Sequence, residues 1–374
     1  MSSTTMTSAN SLTVKLWEKK AWLQAMQRSA LGHMFNRGAI YFPEKGLTKS
    51  AGDQFTFPYV GKLTGVPIGE GGTADGNEEA LDLTSHSMVM NVSRIPVLNP
   101  NDDTIEQQRT NVQFEENTRK QLSMRCVELM DTSLFYHLAG AAPTTLTING
   151  TTYDTTAKKL HVQGHNTPVA PTTNRILRAG AAANDQSLSS SNKMTLDLVD
   201  YALELSERSD QPLEGLDGDT FDLFVSPEQL VDLQHDAAGK VQWYNIELAK
   251  IQGGSENTIE NRFKNGMICA GKYRNVYIYS MPRVAYGLRS DTSAVITTVR
   301  RAVLVGSNAV SFASPYGGRV TDKDVPMKLF VQMKDYDYYK GVEARLIYGL
   351  KKMSPTDKED IGTIVLSTYA AAHT

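Results

Sequence analysis

Cysteine and net charge are both scarce in this sequence. Its 374 residues include two cysteines, Cys126 and Cys269, which argues against a disulfide framework and favours a reducing compartment. The 38 lysines and arginines nearly balance 41 aspartates and glutamates, so the formal net charge is −3. Proteins that neutralise phosphates usually carry a basic excess or a basic stripe. We therefore do not expect a specific nucleic-acid ligand.

Long apolar runs are also missing. No stretch approaches the roughly 20 apolar residues that a membrane-spanning helix needs. The first residues, "MSSTTMTSAN", have neither the basic start nor the apolar core of a signal peptide. Hydrophobic residues nevertheless make up 40% and charged residues 21% of the chain, a balance typical of folded proteins. We expect a soluble protein that has no membrane partner and is intracellular while it is made.

The motifs of common catalytic, cofactor and metal sites are absent as well. The segment "RRAVLVGSNAVSF", residues 300–312, lacks the Gly-x-Ser-x-Gly pattern of a serine nucleophile. His161 and His165 are four residues apart, but their flanks are strand-like or loop-like and no third metal ligand is near. Neither cysteine has a CxxC partner. We predict no catalytic, cofactor-binding or metal-binding residue, no cofactor and no enzymatic activity.

Two strand-like segments joined by a glycine-rich connection predict an extended hairpin over residues 51–98. Phe55, Phe57 and Tyr59 alternate along the first strand. The connection "IGEGGTADGNEEA" combines four glycines with four acidic residues. Since those acids would repel phosphate and no helix begins there, we favour a mobile tip over a phosphate or metal site. So long a hairpin needs a neighbouring subunit to cover it.

Residues 103–139 predict a long helix. Asp103 and Glu106 match a capping box, and an apolar stripe from Leu122 to Leu138 predicts that the second half packs on a sheet. Residues 140–193, rich in Thr, Ala, Asn and Ser, are interpreted as an insertion of short strands and loops rather than as core.

The two ends of the chain and the segment 194–325 complete the outline. Residues 1–50 begin with a polar tail and an amphipathic helix containing Trp17, which either docks on a core or reaches a neighbour. Residues 194–325 alternate helix and strand, and Ser226 with Gln229 predicts a capped helix. Residues 326–371 return to strands and predict a long antiparallel pair with one wet face.

Gly306 interrupts an apolar strand. Val303, Leu304 and Val305 precede it, and the turn-prone pair Ser307 and Asn308 follows. A glycine in this position usually marks a positive φ or a close backbone approach. We predict a packed strand that bends here as it crosses from one domain to another.

The order of these parts resembles the major capsid proteins of tailed bacteriophages, which have the Hong Kong 97-type fold. The resemblance is tightest in "SRIPVLNPNDDTIEQQRTNVQFEENTRKQLSMRCVELMDTSLFYHLAG", residues 93–140, which is similar to a podophage-type capsid family. The segments "GMICAGKYRNVYIYSMPRV" and "RRAVLVGSNAVSFASPYGG" are similar to paired strands of the axial domain. Most of the chain is covered, apart from residues 140–193.

The resemblance implies an α+β, Hong Kong 97-like capsid fold divided along the chain. The expected parts are an N-terminal arm (1–50), an extended hairpin or E-loop (51–98), a peripheral domain (99–193) with its spine helix (103–139) and the insertion 140–193, an axial domain (194–325) and peripheral return strands (326–374). The Lys–Asn cross-link of the type member is not carried over, because Lys62, the only hairpin lysine, lies on the first limb.

The resemblance also implies the function and the partners. The expected protein is a major capsid protein that forms hexamers and pentamers in an icosahedral head shell around phage double-stranded DNA, which it contacts non-specifically. The expected further partners are portal, scaffolding and cement proteins, and the expected location is the virion, assembled in the host bacterial cytoplasm. Two alternatives stay open. One is an encapsulin-type nanocompartment, which the finding of packaged DNA would exclude. The other is a soluble α/β enzyme, which the finding of a megadalton particle would exclude.

Overall fold

The structure is a computed structural model that describes most of the chain. It covers residues 29–42, 54–100, 105, 109, 114–148, 151–154, 166–236, 269–314, 327–355 and 358–373, less the single residues 62, 64, 210, 218 and 337. Several expectations lie outside the described residues: Trp17 and the rest of 1–28, the capping box of Asp103 and Glu106, Lys62, and both His161 and His165.

Four α-helices and sixteen strands are defined in the described ranges. The helices are α1 (Ala30–Arg37), α2 (Phe114–Leu138), α3 (Leu196–Arg208) and α4 (Pro227–His235). The strands are β1 (Ile40–Tyr41), β2 (Gln54–Val60), β3 (Leu83–Val89), β4 (Asn91–Pro100), β5 (Thr145–Ile148), β6 (Thr151–Asp154), β7 (Ile176–Arg178), β8 (Phe221–Val225), β9 (Cys269–Tyr273), β10 (Val276–Ser280), β11 (Tyr286–Leu288), β12 (Val295–Val305), β13 (Val310–Ala313), β14 (Met327–Lys334), β15 (Tyr339–Lys352) and β16 (Thr363–Tyr369).

The strands form two large sheets and two hairpins. The five-stranded sheet runs β1-β13-β15-β14, and β4 also pairs with β15. The seven-stranded sheet runs β7-β16-β12-β8-β10-β9, and β11 also pairs with β12. Strands β2 and β3 form one separate hairpin, and β5 and β6 form the other.

Helix α2 packs on one face of the five-stranded sheet. Its apolar stripe, which includes Leu122, Met130 and Leu134, is buried against this face, as the sequence predicts. Residues of β15 alternate between half-buried and buried, so one face meets α2 and the other is partly open. The helix is followed by Gly140, whose φ of 59° is easy for glycine and unfavourable for most other residues.

The seven-stranded sheet has apolar cores on both faces. Leu223 and Leu304 pack into one cluster with α3, while Phe224 and Val303 pack into the cluster shared with the five-stranded sheet. The two sheets are therefore joined by a continuous core. At the start of α4, the predicted capping box is present, with Ser226 and Gln229 bonding reciprocally.

Strand pairing departs from the expected parts of the chain at three places. Strand β4 (Asn91–Pro100) leaves the hairpin and pairs with β15 over ten residues. Strand β16 (Thr363–Tyr369), expected among the return strands with β14 and β15, pairs instead with β12 in the seven-stranded sheet. Residues 29–42, expected in an arm, include α1, whose Leu31 and Met34 are buried in the shared core.

The expectation that residues 140–193 are only an insertion is also wrong for their second half. Strand β7 pairs in parallel with β16 at the edge of the seven-stranded sheet. Asp185 is buried there and accepts hydrogen bonds from Arg301 Nε at 2.7 Å and from Ser367 Oγ at 3.0 Å. A segment that supplies a strand and a buried carboxylate belongs to the core, although its composition is that of a loop.

The bend at Gly306 is confirmed as the crossing between the two sheets. The Gly306 N–H donates to the Gly362 carbonyl at 2.9 Å, and the Ser307 N–H donates to the Glu214 carbonyl at 2.8 Å. A Cβ at position 306 would collide with that Glu214 oxygen. Close backbone approach is thus the reason for glycine, and the positive φ (52°) falls at Asn308 instead.

Candidate assembly interface

The far part of the β2–β3 hairpin is exposed to solvent. All residues from 65 to 81 are exposed in the structure. Large apolar side chains lie on it, with Val66 at 87% exposure; the others are Val60, Leu63, Ile68, Leu81 and Leu83. Exposed apolar side chains gathered on one loop often mark an interaction surface. We call residues 65–81 the exposed hairpin end.

Acidic side chains within the exposed hairpin end bind its own backbone. Glu79 accepts from the Gly65 N–H at 2.6 Å, and Glu78 accepts from the Gly76 N–H at 2.8 Å. These two carboxylates therefore form hydrogen bonds within the loop. Among the residues that the structure describes, no three His, Cys, Asp or Glu side chains lie close enough together to hold a metal ion.

The base of the hairpin is fixed to the five-stranded sheet. Phe57 and Met88 form a small apolar cluster with Ala313 of β13. His86 lies beside them, with Nε2 3.2 Å from Ser311 Oγ and Nδ1 3.3 Å from the Ser354 carbonyl oxygen. Burial, assisted by the nearby Lys351 ammonium, lowers the pKa of His86 to about 4, so the ring is neutral at pH 7.

Asn166 holds the bend between β3 and β4. Its Oδ1 accepts from the Val89 N–H at 2.9 Å, and its Nδ2 donates to the Val89 carbonyl at 2.5 Å. One side-chain amide thus satisfies both backbone groups of Val89. Lys351 adds a hydrogen bond from Nζ to the Ser87 carbonyl at 2.7 Å. The hairpin therefore has a fixed base and a free end.

A second exposed apolar region lies at the outer end of the five-stranded sheet. Met327 and Leu329 of β14 are buried as the alternation predicts, but Val331 and Met333 are each 42% exposed. Exposed neighbours are Leu98, Phe330 and Tyr336. The alternation of buried and exposed residues holds only for the first half of β14, because every residue of this strand beyond Leu329 is exposed.

An ion-pair group lies on the open face of the same sheet. Arg94 donates to both carboxylate oxygens of Glu343, at 2.7 and 2.6 Å. This bidentate bond, with further donation from Arg345, lowers the pKa of Glu343 to about 2. Arg345 also lies 4.1 Å from the centre of the Phe330 ring. A partner at this face would meet an ordered, charged surface beside exposed apolar side chains.

Buried polar contacts connect α1 to the seven-stranded sheet and to α2. His33 Nε2 and Arg37 Nη2 contact the buried carboxylate of Asp222 at 3.0 and 3.2 Å. Asp131 of α2 accepts from the Ala30 N–H at 3.0 Å, and burial raises its pKa to about 7. These contacts could not be predicted from the sequence, because the partners are more than 100 residues apart and no local pattern marks them.

Comparison with known proteins identifies the family to which the chain belongs. The sequence profile of the phage capsid protein family matches residues 5–372, so the chain belongs to that family. No curated protein matches it. No helix in the described part of the chain is long and apolar enough to cross a membrane.

Solved capsid structures share the fold. The capsid of Ralstonia phage GP4 is 22% identical, with a TM-score of 0.70 over 90% of this chain and 88% of that chain. The capsid of cyanophage Pam1 is 18% identical, with a TM-score of 0.60 over 87% of each chain. The capsid of Helicobacter pylori bacteriophage KHP30 is 11% identical, with a TM-score of 0.54 over 85% of each chain.

These findings confirm the fold and the general function. The chain has the α+β, Hong Kong 97-type capsid fold that the sequence resemblance implies. It is a major capsid protein and a structural component of a phage virion. Its capsid homologues assemble into shells from oligomers of themselves. Membership of the phage capsid protein family favours this function over the encapsulin and soluble-enzyme alternatives.

Proposed function

We propose that this protein assembles as hexamers and pentamers into a closed icosahedral head, and that the exposed hairpin end packs on a neighbouring copy. The observation that carries the proposal is the contrast along the hairpin. Its base is fastened by His86, Met88 and Asn166, while residues 65–81 are exposed and include apolar side chains. Covering those side chains with a second copy would remove them from water.

The two sheets would divide the work of assembly. In this proposal, the five-stranded sheet with α2 forms the peripheral domain, and the seven-stranded sheet forms the axial domain around the hexamer and pentamer axes. Heterologous contacts that close on an axis make rings, which suits such a division. Residues 1–28 keep their proposed role as an arm.

The contents of the shell and its other partners are also proposals. A formal net charge of −3 suits a wall that touches double-stranded DNA without binding it tightly. The proposed partners are portal, scaffolding and cement proteins. The proposed place of assembly is the host bacterial cytoplasm. The proposed role is structural and includes no enzymatic activity.

The experiment compares two variants for particle formation. The full chain is expressed with Val66→Ser and Ile68→Ser together, and particles are counted by size exclusion and electron microscopy. We expect few or no particles. The free energy of unfolding of the subunit should change by less than about 0.5 kcal/mol, because both side chains are exposed.

The matched control is Tyr201→Ser, which removes an exposed apolar side chain from α3 rather than from the hairpin. This variant should assemble like the parent protein. Normal particle yield from the double hairpin variant would contradict the proposed role of the exposed hairpin end. A parent protein that forms no particle at all would contradict self-assembly itself.

A further inference from the structure

The open face of the five-stranded sheet is basic. Directly paired residues on neighbouring strands share a face, and the register sets Lys328 of β14, Arg345 of β15 and Arg94 of β4 in one row across it. Lys334 lies on the same face, because it is six residues beyond Lys328 on β14. Among the described residues of these three strands, Glu343 is the only carboxylate on this face. The face therefore has an excess of positive charge.

Apolar side chains are exposed on the same face. Leu98 is 53% exposed, Val92 is 49% exposed and Phe330 is 42% exposed. The Arg345 guanidinium lies 4.1 Å from the centre of the Phe330 ring, so charged and apolar groups are adjacent. A surface of this kind suits a partner that is both acidic and apolar.

The exposed hairpin end has that composition. Its residues, 65–81, include four acidic side chains and neither lysine nor arginine. Glu78 and Glu79 are engaged with the backbone of the loop. Glu70 and Asp75 are exposed, and neither carboxylate is paired with another described residue. These two charges, together with the exposed apolar side chains of the loop, are available to a partner.

The two surfaces do not cover each other within one subunit. Val66 of the exposed hairpin end is 87% exposed, and Leu98 and Phe330 of the open face are exposed in the same structure. A contact between the surfaces therefore requires two copies. Because it joins two different surfaces of one chain, such a contact is heterologous, and heterologous contacts that close on an axis make rings.

We propose that the exposed hairpin end of one copy binds the open face of the five-stranded sheet of the next copy, with its carboxylates against the cations of that face. The inference rests on the proposed packing of the hairpin on a neighbouring copy, and it adds the receiving surface and the charges that select it. Opposite charges steer two surfaces into register, and salt screens this attraction. Assembly should therefore slow as the salt concentration rises.

The test reverses the charges of each surface in the full-length chain. Lys328→Glu with Lys334→Glu should lower the particle yield about tenfold or more, because like charges that face each other oppose binding. Glu70→Lys with Asp75→Lys should lower it similarly. The chain with all four substitutions has opposite charges again and should recover most of the yield. Size exclusion and electron microscopy count the particles.

The matched control is Arg208→Glu with Arg289→Glu, which makes the same change of net charge at exposed positions outside both surfaces. It should assemble like the parent protein, and the melting temperature of each unassembled subunit should change little. The proposal is overturned if reversal of Lys328 and Lys334 leaves the yield unchanged, or if the chain with four substitutions yields no more particles than either pair alone. An equal loss in the control would assign the effect to net charge and would also overturn it.

The result separates this inference from the proposed function. If Val66→Ser with Ile68→Ser blocks assembly while reversal of Lys328 and Lys334 does not, the hairpin packs on another surface and only the receiving face is wrong. If Val66→Ser with Ile68→Ser has no effect, the packing of the hairpin itself is wrong, and this inference is wrong with it.

Discussion

The two large sheets differ in how much of their surface their own chain covers. In the seven-stranded sheet, neighbouring residues such as Leu223 and Phe224 enter separate apolar cores on opposite faces. In the five-stranded sheet, α2 covers one face, and Val331 and Met333 at the far end stay partly exposed. The difference teaches that one sheet can secure the fold of the subunit while the other keeps surface available for contacts between subunits.

The largest effect is expected where the two sheets meet. Gly306→Val should abolish soluble subunit, because its Cβ would collide with the Glu214 carbonyl and overpack a buried crossing, at a cost of about 3 kcal/mol or more. Gly69→Val should leave the subunit soluble, since a Cβ there has no heavy atom within 4 Å. Soluble yield measures both variants, and equal yields would show that the crossing tolerates a side chain.

A smaller effect is expected from truncating a side chain in each sheet. Leu223→Ala should destabilise the subunit by about 2–5 kcal/mol, because Leu223 is fully buried in the seven-stranded sheet. Val331→Ala should cost less than about 0.5 kcal/mol, since Val331 is partly exposed. Chemical denaturation gives both values. Similar losses in the two variants would mean that the sheets do not differ in the way described.

The smallest effect is a pH dependence at the base of the hairpin. Because the pKa of folded His86 is lowered to about 4 from an ordinary value of about 6.5, folding favours the neutral ring. Its contribution is present above about pH 6.5 and is lost as the pH falls towards 4, with about 2 kcal/mol lost at pH 5. The protection factors of the β3 amides, which compare the observed exchange rate with the intrinsic rate at each pH, should therefore fall between pH 7 and 5.

The variant His86→Gln isolates this contribution. It removes the titrating ring, so the fall in the β3 protection factors on acidification should disappear. His235→Gln, at the exposed end of α4, is the control and should show the same fall as the parent protein. An unchanged acid response in His86→Gln would assign it to other groups.

Local sequence signals predicted α4 and the second half of α2. The capping box at Ser226 and the apolar stripe from Leu122 to Leu138 each depend on residues within a few positions of one another. In the segment "KYRNVYIYSMPRV", a turn at Arg274, with a φ of 50°, separates β9 from β10. The turn-prone Asn275 was a signal for this division.

Long-range pairing could not be predicted from the same signals. Strand β7 has three residues, too few for a detectable period, and its place in the sheet depends on β16, almost 190 residues later. The exposed hairpin end was predicted from its composition, yet its anchor Asn166 looks like an ordinary loop residue.

A bonded pair of crossings between the sheets has a mechanical consequence. The chain passes between the sheets from β4 to β7, at Gly306 and from β15 to β16, and the last two passages are bonded through the Gly362 carbonyl. A single connection would act as a hinge about which the two sheets could rotate. Two bonded passages share a force applied between the sheets and resist rotation of one sheet against the other. A force on the hairpin is therefore transmitted to the whole subunit.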